Sequence, residues 1–304
     1  MVQRIAPIED RRSLGIGLLL FAQIFFATLD TSAKVLAVAG LPTTEIVFVR
    51  YFVHVVLALA LFLPVNGWEL FRSSNWPLEL LRGLSLLGVT FGNFLAMRYL
   101  PLTVTGAVIF TMPLLVTLLS IPMLGEKVGW RRMLAVAAGF VGVLIIIRPG
   151  TAAFHPAALI ALAAALSAAL YTIFTRKLAG VDSPATQQVY SGVIALTCIT
   201  PFAFEGWVWP SDGLTWFAFC AAGVAGMIAH LLNTIALRYA PPSLLAPFSY
   251  TELLLLALAS WLIFQEPPDI WFYCGAPIII GSGLYIWLRE RRLRRPISVE
   301  PVEG

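Results

Sequence analysis

Charge is the scarcest property of this 304-residue chain: Asp, Glu, Lys and Arg together make up 12% of it, where a soluble domain carries about 25%. With 59% hydrophobic residues and a mean hydropathy of +0.87, too little polar surface exists to clothe a water-soluble globule. Cysteine is nearly absent. Cys198, Cys220 and Cys274 all lie in apolar runs, and their spacing suits neither a metal site nor a disulfide framework. They are expected to be small, buried packing residues. Catalytic signatures are missing as well. No H-E-x-x-H, G-x-S-x-G elbow or P-loop occurs, so no enzyme activity, catalytic residue, metal or cofactor is expected, and no ATP-driven step. Period-two alternation is also lacking, which argues against a membrane barrel.

What the chain has is long apolar runs. Ten are of a length to cross a bilayer as helices: roughly 14–36, 43–63, 78–98, 102–124, 129–147, 156–177, 184–204, 214–237, 242–264 and 270–288. Turn residues separate them, among them Gly40-Leu41-Pro42, Pro149-Gly150, Asp182-Ser183-Pro184 and Pro267-Pro268. No loop is long enough to hold a soluble domain. Arg4, Arg11 and Arg12 before the first run read as the flank of a transmembrane helix rather than of a signal peptide, because nine more spans follow.

Basic residues orient the bundle. With the N-terminus in the cytoplasm, the inside holds Arg4, Arg11, Arg12, Arg72, Arg82, Lys127, Arg131, Arg132, Arg176, Lys177, Arg238 and the five arginines of 289–295. The outside holds only Lys34, Arg98 and Arg148. Both termini are therefore expected in the cytoplasm.

One stretch is written twice. Arg98, Tyr99 and Pro101 fall on Arg238, Tyr239 and Pro241 without a gap; Thr111, Leu114, Leu115, Leu118, Ser120 and Glu126 fall on Thr251, Leu254, Leu255, Leu258, Ser260 and Glu266. Asn93 falls on Asn233, and further upstream Pro42 and Thr44 fall on Pro184 and Thr186. The expected units are 1–148 and 150–290, each of five spans, followed by a cytoplasmic tail at 291–304. An odd number of spans puts the second unit upside down. The fold class is thus an all-α membrane protein of ten transmembrane helices in two inverted five-helix repeats, an architecture that places a site where the repeats meet.

The paired segments LGEKVGWRRMLAVAAGFVGVLIIIRPG and FQEPPDIWFYCGAPIIIGSGLYIWLRE, with GLPTTEIVFVRYF and the late basic residue Lys34 of the first span, resemble EamA-type members of the drug/metabolite transporter superfamily. The resemblance covers nearly the whole chain. The second copy departs from it at Gly192, which stands where Arg50 would repeat. It implies a ten-helix inner-membrane carrier of small organic metabolites, amino acids and vitamins among them. The stretch FATLDTSAKVLAVAGLPTTEIVFVRYFVHVVLAL resembles the branch that holds riboflavin importers.

An ionisable side chain inside a span costs about 2.5–3.5 kcal/mol, so each one needs a partner or a role. Asp30 lies roughly 9 Å and Arg50 roughly 10 Å below the outer ends of their helices; Lys34 and Glu45 lie about 3 Å in. The first two spans form a hairpin, which predicts two rungs, Asp30–Arg50 and Lys34–Glu45. An Asp30–Lys34 contact along one helix is the alternative, and the rungs serve equally as staples or as a gate. Glu252, roughly 18 Å down its span, sits near the bilayer centre with His54 at similar depth, and is the candidate for coupling to protons. Candidate substrate-binding or gating residues are Asp30, Lys34, Arg50, His54, Asn93, Asn233, Tyr250 and Glu252. His54 and His230 read equally as packing residues, the asparagines as interhelical glue, and Tyr250 and Phe248 as core or as a stacking platform. Pro113 and Pro247 are expected to break the fourth and ninth helices; Gly139, Gly142, Gly281 and Gly283 are expected at close helix contacts.

The expectation is a secondary active or facilitative transporter working by alternating access. A lipid scramblase, marked by a cavity open sideways to the bilayer, or a non-transporting assembly subunit is the alternative. An intramembrane aspartyl protease would need two level carboxyls, and the reckoned depths of Asp30 and Glu252 differ by roughly 9 Å. Expected partners are a small-molecule substrate and membrane lipids, with a homodimer left open and no nucleic acid.

Overall fold

The computed structural model describes residues 12–124, 129–178, 180–239, 245 and 248–293. The helices are α1 (Arg12–Val38), α2 (Thr43–Asn66), α3 (Trp76–Met97), α4 (Leu102–Ile109), α5 (Met112–Leu124), α6 (Trp130–Ile147), α7 (Ala157–Leu178), α8 (Pro184–Ala203), α9 (Gly213–Tyr239), α10 (Thr251–Leu262) and α11 (Ile270–Leu293), with a 3-10 turn at Gly67–Phe71.

Turn chemistry sets their ends. Asn75 caps α3 by accepting from the Leu78 amide at 3.3 Å, and Pro77 occupies its first turn. Ser183 caps α8 through the Thr186 amide at 3.0 Å, ahead of Pro184. Asp212 caps α9 by accepting from the amides of Leu214 and Thr215, both at 2.9 Å. Gly40, at φ 91°, lets α1 close on carbonyls of Leu36 and Ala37. The fourth span breaks between α4 and α5, where Thr111 Oγ1 donates to the Val108 carbonyl at 2.7 Å, just before Pro113. α10 falls in the expected ninth span; Pro247 lies outside the described residues.

Six helical segments have the length and composition to cross a membrane, and the apolar helices Met133–Ile147, Thr251–Leu262 and Ile270–Ile286 are shorter. With α8, and with α4 and α5 counted as one broken span, the helices account for the ten expected spans. The flanks are apolar: Phe21, Phe52, Leu134, Leu159, Phe217 and Leu254 point outward, as they must toward hydrocarbon. All three cysteines are exposed on these flanks, not buried. An apolar run in a membrane helix has a lipid face as well as a core face, so apolarity alone did not place them inside.

The loops at 39–42, 98–101, 148–156, 204–212 and 263–269 gather at one end, called the upper end below. Arg98 donates to the Leu41 carbonyl at 2.5 Å, the Val208 amide to Glu45 at 2.9 Å, and Arg148 to Asp269 at 2.9 Å. At the lower end, Ser73 Oγ and the Ser74 amide donate to Asp182 at 2.6 and 2.8 Å, and Tyr190 donates to the Phe71 carbonyl at 2.9 Å.

The two halves interdigitate with a pseudo-twofold pattern. Exchanging α1 with α7, α2 with α8, α3 with α9, α5 with α10 and α6 with α11 maps the principal contacts onto each other. α1 packs on α9 as α7 packs on α3; α2 on α9 as α8 on α3; α1 on α10 as α7 on α5; while α2–α8 and α6–α11 are their own mates. Details repeat too: Gly83 of α3 packs on Ile194 of α8, and Gly223 of α9 on Val53 of α2. Because α1 ends and α7 begins at the upper end, the second copy is inverted. Gly142 and Gly275 bring the backbones of α6 and α11 together, a Cβ on Gly275 falling 2.5 Å from the Gly142 carbonyl oxygen. Gly139 meets Leu114 and Gly283 meets Tyr250, whereas Gly281 has open space beside it and makes no close contact.

Candidate functional site

Glycine lets the polar residues of α2 approach the second half. Gly226 of α9 leaves room for Arg50, and Gly192 of α8 for His54. Arg50, 1% exposed, bonds through Nη2 to His230 Nε2 at 2.9 Å and lies 4.3 Å above the Tyr51 ring. An arginine always donates, so Nε2 of His230 accepts and the ring proton sits on Nδ1. His54 Nε2 meets the Gln188 carbonyl at 3.2 Å; a carbonyl only accepts, so this nitrogen carries the proton. Tyr51 donates to the Leu86 carbonyl at 3.1 Å and shares a 2.8 Å bond with Thr90. Nε and Nη1 of Arg50 and Nδ1 of both histidines are buried without a hydrogen-bond partner among the described residues.

Asp30 of α1 accepts from Asn93 Nδ2 of α3 at 3.3 and 3.2 Å. Its electrostatic neighbours are Arg50 and, from the other half, Glu252 of α10. Asp30 and Glu252 are both half-buried, so neither side chain is fully sealed in packing. Neither forms an ion pair within 4.0 Å with a described residue.

Neither expected rung forms. Lys34 donates at 3.0 and 2.9 Å to the carbonyls of Met97, the last residue of α3, and of Leu100 in the turn that follows, and pairs with Glu266 at 3.7 Å. Glu45 takes the Val208 amide instead. Asp30 goes to Asn93 and Arg50 to His230. The cause is topological: α1 packs chiefly on α9, which intervenes where a plain α1–α2 hairpin was assumed.

Glu252 also lies nearer the upper end than its expected span implies. α1 runs on to Val38 and α10 ends at Leu262. These ends put Asp30 about 12 Å and Glu252 about 15 Å below the upper helix ends, nearly level. The wide depth difference expected between the two carboxyls is therefore absent. Tyr250 is not turned to this group; its ring packs on Phe110 at 5.6 Å and against Gly283, with its hydroxyl unpaired. Asn233, one turn from His230, is half-buried and makes no side-chain hydrogen bond with a described residue. Among the described residues no three His, Cys, Asp or Glu groups are placed to hold a metal ion.

A lower cluster was not anticipated. Arg82, fully buried, donates to Thr175 Oγ1 at 2.9 Å, Tyr171 Oη at 2.9 Å, the Gln187 carbonyl at 2.7 Å and Ser191 Oγ, and pairs with Glu79 at 3.7 Å. Counting Arg82 as a loop charge concealed it. The available signal was Glu79 and Arg82 both inside a span expected to begin at residue 78. Polar ties thus join the two halves at both ends, Lys34–Glu266 above and Arg82 with α7 and α8 below, and the Asp30–Glu252 and Arg50–His230 groups lie between them. On one flank, α3 and α8 frame a groove of about 580 Å³ lined by Leu84, Leu87, Phe91, Ile199, Phe202 and Glu205.

The profile of the EamA-like transporter family matches residues 13–148 and 155–288. The chain is 31% identical over 283 residues to a riboflavin transporter of Vibrio cholerae, covering 91% of this chain and 94% of that protein. It is 29% identical over 279 residues to an S-adenosylmethionine uptake transporter of Rickettsia felis, again covering 91% and 94%. A riboflavin transporter of Brucella anthropi is 29% identical, with 83% and 90% covered. A solved crystal structure matches with a TM-score of 0.68 at 23% identity, over 92% of this chain and 99% of that one, a likeness that bears on the fold.

Proposed function

We propose, from the premise that the chain belongs to the EamA-like transporter family and is a multi-pass membrane transporter rather than an enzyme, that it carries a small organic metabolite by alternating access. The observation that carries the mechanism is the interior group itself: ionisable residues of both halves meet between a tie at the upper end and a tie at the lower end. Loosening one tie while the other holds opens the interior to one side at a time. Asp30, Arg50, His54, Asn93, Asn233 and Glu252 are the proposed substrate-facing set, with Lys34 at the upper gate, and Glu252 is the proposed group for proton coupling. The upper end faces outward from a bacterial-type inner membrane and both termini face the cytoplasm, in keeping with the distribution of basic residues. The relatives make a flavin or an S-adenosylmethionine-like compound the first substrates to test.

The test is uptake into liposomes of purified protein, with and without a pH gradient, for wild type and Glu252→Gln. Uptake of a metabolite supports the reading, and loss of gradient dependence in the variant supports the proton role. The flank groove favours one other reading, lipid scrambling, because it opens toward lipid. Scrambling of labelled phospholipid without uptake of any metabolite would replace the carrier by that reading.

A further inference from the structure

The two interior carboxyls come from opposite halves and neither is answered by an ion pair with a described residue. Arg50, an electrostatic neighbour of Asp30, makes its hydrogen bond to His230 and lies over the Tyr51 ring without reaching ion-pair distance of either carboxyl. Asn93 donates to both oxygens of Asp30, fixing its carboxyl on the α3 side. Phe26 lies one turn from Asp30 on the same face of α1, half-buried, edge-on to His230 at 4.9 Å. Carboxylates beside aromatic rings are the surroundings that recognise an organic cation.

The repeat shows how local this charge is. The inverted mates of Asp30 and Glu252 are Thr172 and Met112, and they too meet, Thr172 Oγ1 donating to Met112 Sδ at 3.5 Å. The scaffold contact is preserved and the charge is not. One side of the pseudo-axis carries two carboxyls and its mate a neutral hydroxyl and a thioether, which suits a ligand with one cationic end.

We propose that Asp30 and Glu252, oriented by Asn93, form a subsite for the ammonium or sulfonium group of an organic substrate. This rests on the transport reading above and narrows it: a cationic metabolite is carried in preference to an uncharged flavin. Titration calorimetry and uptake use purified full-length protein with S-adenosylmethionine, choline and lysine as cationic probes and riboflavin as the uncharged one. At least one cation binds and riboflavin does not. Glu252→Gln and Asp30→Asn each weaken cation binding by about ten- to a hundredfold, the worth of a charge-assisted bond. Glu252→Asp and Asp30→Glu, which keep the charge, recover most of it, separating charge from packing; the elution profile of each variant confirms that it is folded. Riboflavin binding that neither neutral variant alters overturns the subsite. So does cation binding unchanged in both, or no binding by any of the three cations. Riboflavin uptake alone leaves the carrier standing without this subsite, whereas lipid scrambling with no uptake removes the carrier as well.

Discussion

Arg82→Met tests whether the lower tie is an ion pair or only a hydrogen-bonded arginine. Arg82 and Glu79 are both fully buried and 3.7 Å apart, and both Glu79 oxygens lack any hydrogen bond. Removing the arginine alone strands a buried carboxylate, at a cost of about 3–5 kcal/mol. Removing both partners, in Glu79→Leu/Arg82→Met, strands no charge and leaves the Tyr171 hydroxyl to lose its bond. Thr175 and Ser191 keep bonds to the carbonyls of Tyr171 and Gln187, at 2.7 and 2.8 Å. The Gln187 carbonyl keeps the serine as donor, so the residual loss is that of ordinary hydrogen bonds, about 1 kcal/mol each. The double variant is therefore more stable than Arg82→Met, with a coupling of about 2–4 kcal/mol. Reversible unfolding in mixed detergent micelles, run as a full double-mutant cycle, reads it. Additivity within about 0.5 kcal/mol would show that Glu79 does not answer Arg82 and that the ionic account of the tie is wrong.

Other outcomes follow from single contacts. Gly275→Ala drives a Cβ to 2.5 Å from the Gly142 carbonyl oxygen, where backbone meets backbone, so α6 and α11 must part at a cost of about 1–3 kcal/mol; an unchanged melting temperature would refute the close crossing. Lys34→Met lowers uptake more than Glu266→Gln does, because the lysine also holds the Met97 and Leu100 carbonyls while the glutamate is partly exposed and its share is screened; equal effects in transport assays would reduce the upper tie to the ion pair alone. Asp212 is held below the usual carboxylate range chiefly by the Thr215 amide, so its cap is complete above pH 3.8 and is lost as pH falls through the lower folded value. Amide exchange in the first turn of α9 accordingly rises on acidification in that window, after correction for intrinsic rates. Asp212→Ala, lacking the cap at every pH, removes this dependence.

Much of the architecture was legible because hydrophobicity and duplication are written along the chain. Arg98, Tyr99 and Pro101 on Arg238, Tyr239 and Pro241 announced the repeat, and five spans per unit fixed its inversion. Burial of Arg50 and His54 also followed from their place inside a span. Exact depth did not follow, because the upper helix ends are not fixed by hydrophobicity: α1 runs on to Val38 and α10 stops at Leu262. Arg82 was missed because a basic residue near a span end satisfies the orientation rule whether it points to water or into the core. Only Thr175, Gln187 and Ser191, about a hundred residues away in sequence, decide between the two.

The failed rungs show why side-chain partners are harder to read than spans. In a plain helical hairpin, Asp30 would face Arg50. In two interlocked inverted units, α1 lies against α9 and α3 against α7, so the neighbours of a first-half residue come largely from the second half. The repeat then becomes a better guide than adjacency. Exchange of the halves maps the α1–α10 contact onto the α7–α5 contact, and Thr172 touches Met112 where Asp30 neighbours Glu252. A contact that survives duplication while its charges do not is held by the scaffold in both copies, so packing alone does not account for carboxyls in only one of them. At about 2.5–3.5 kcal/mol for each ionisable group placed in a span, that asymmetry is a cost the fold does not require. In the proposed subsite, a bound cation would offset the part of that cost that Asn93 and Arg50 leave.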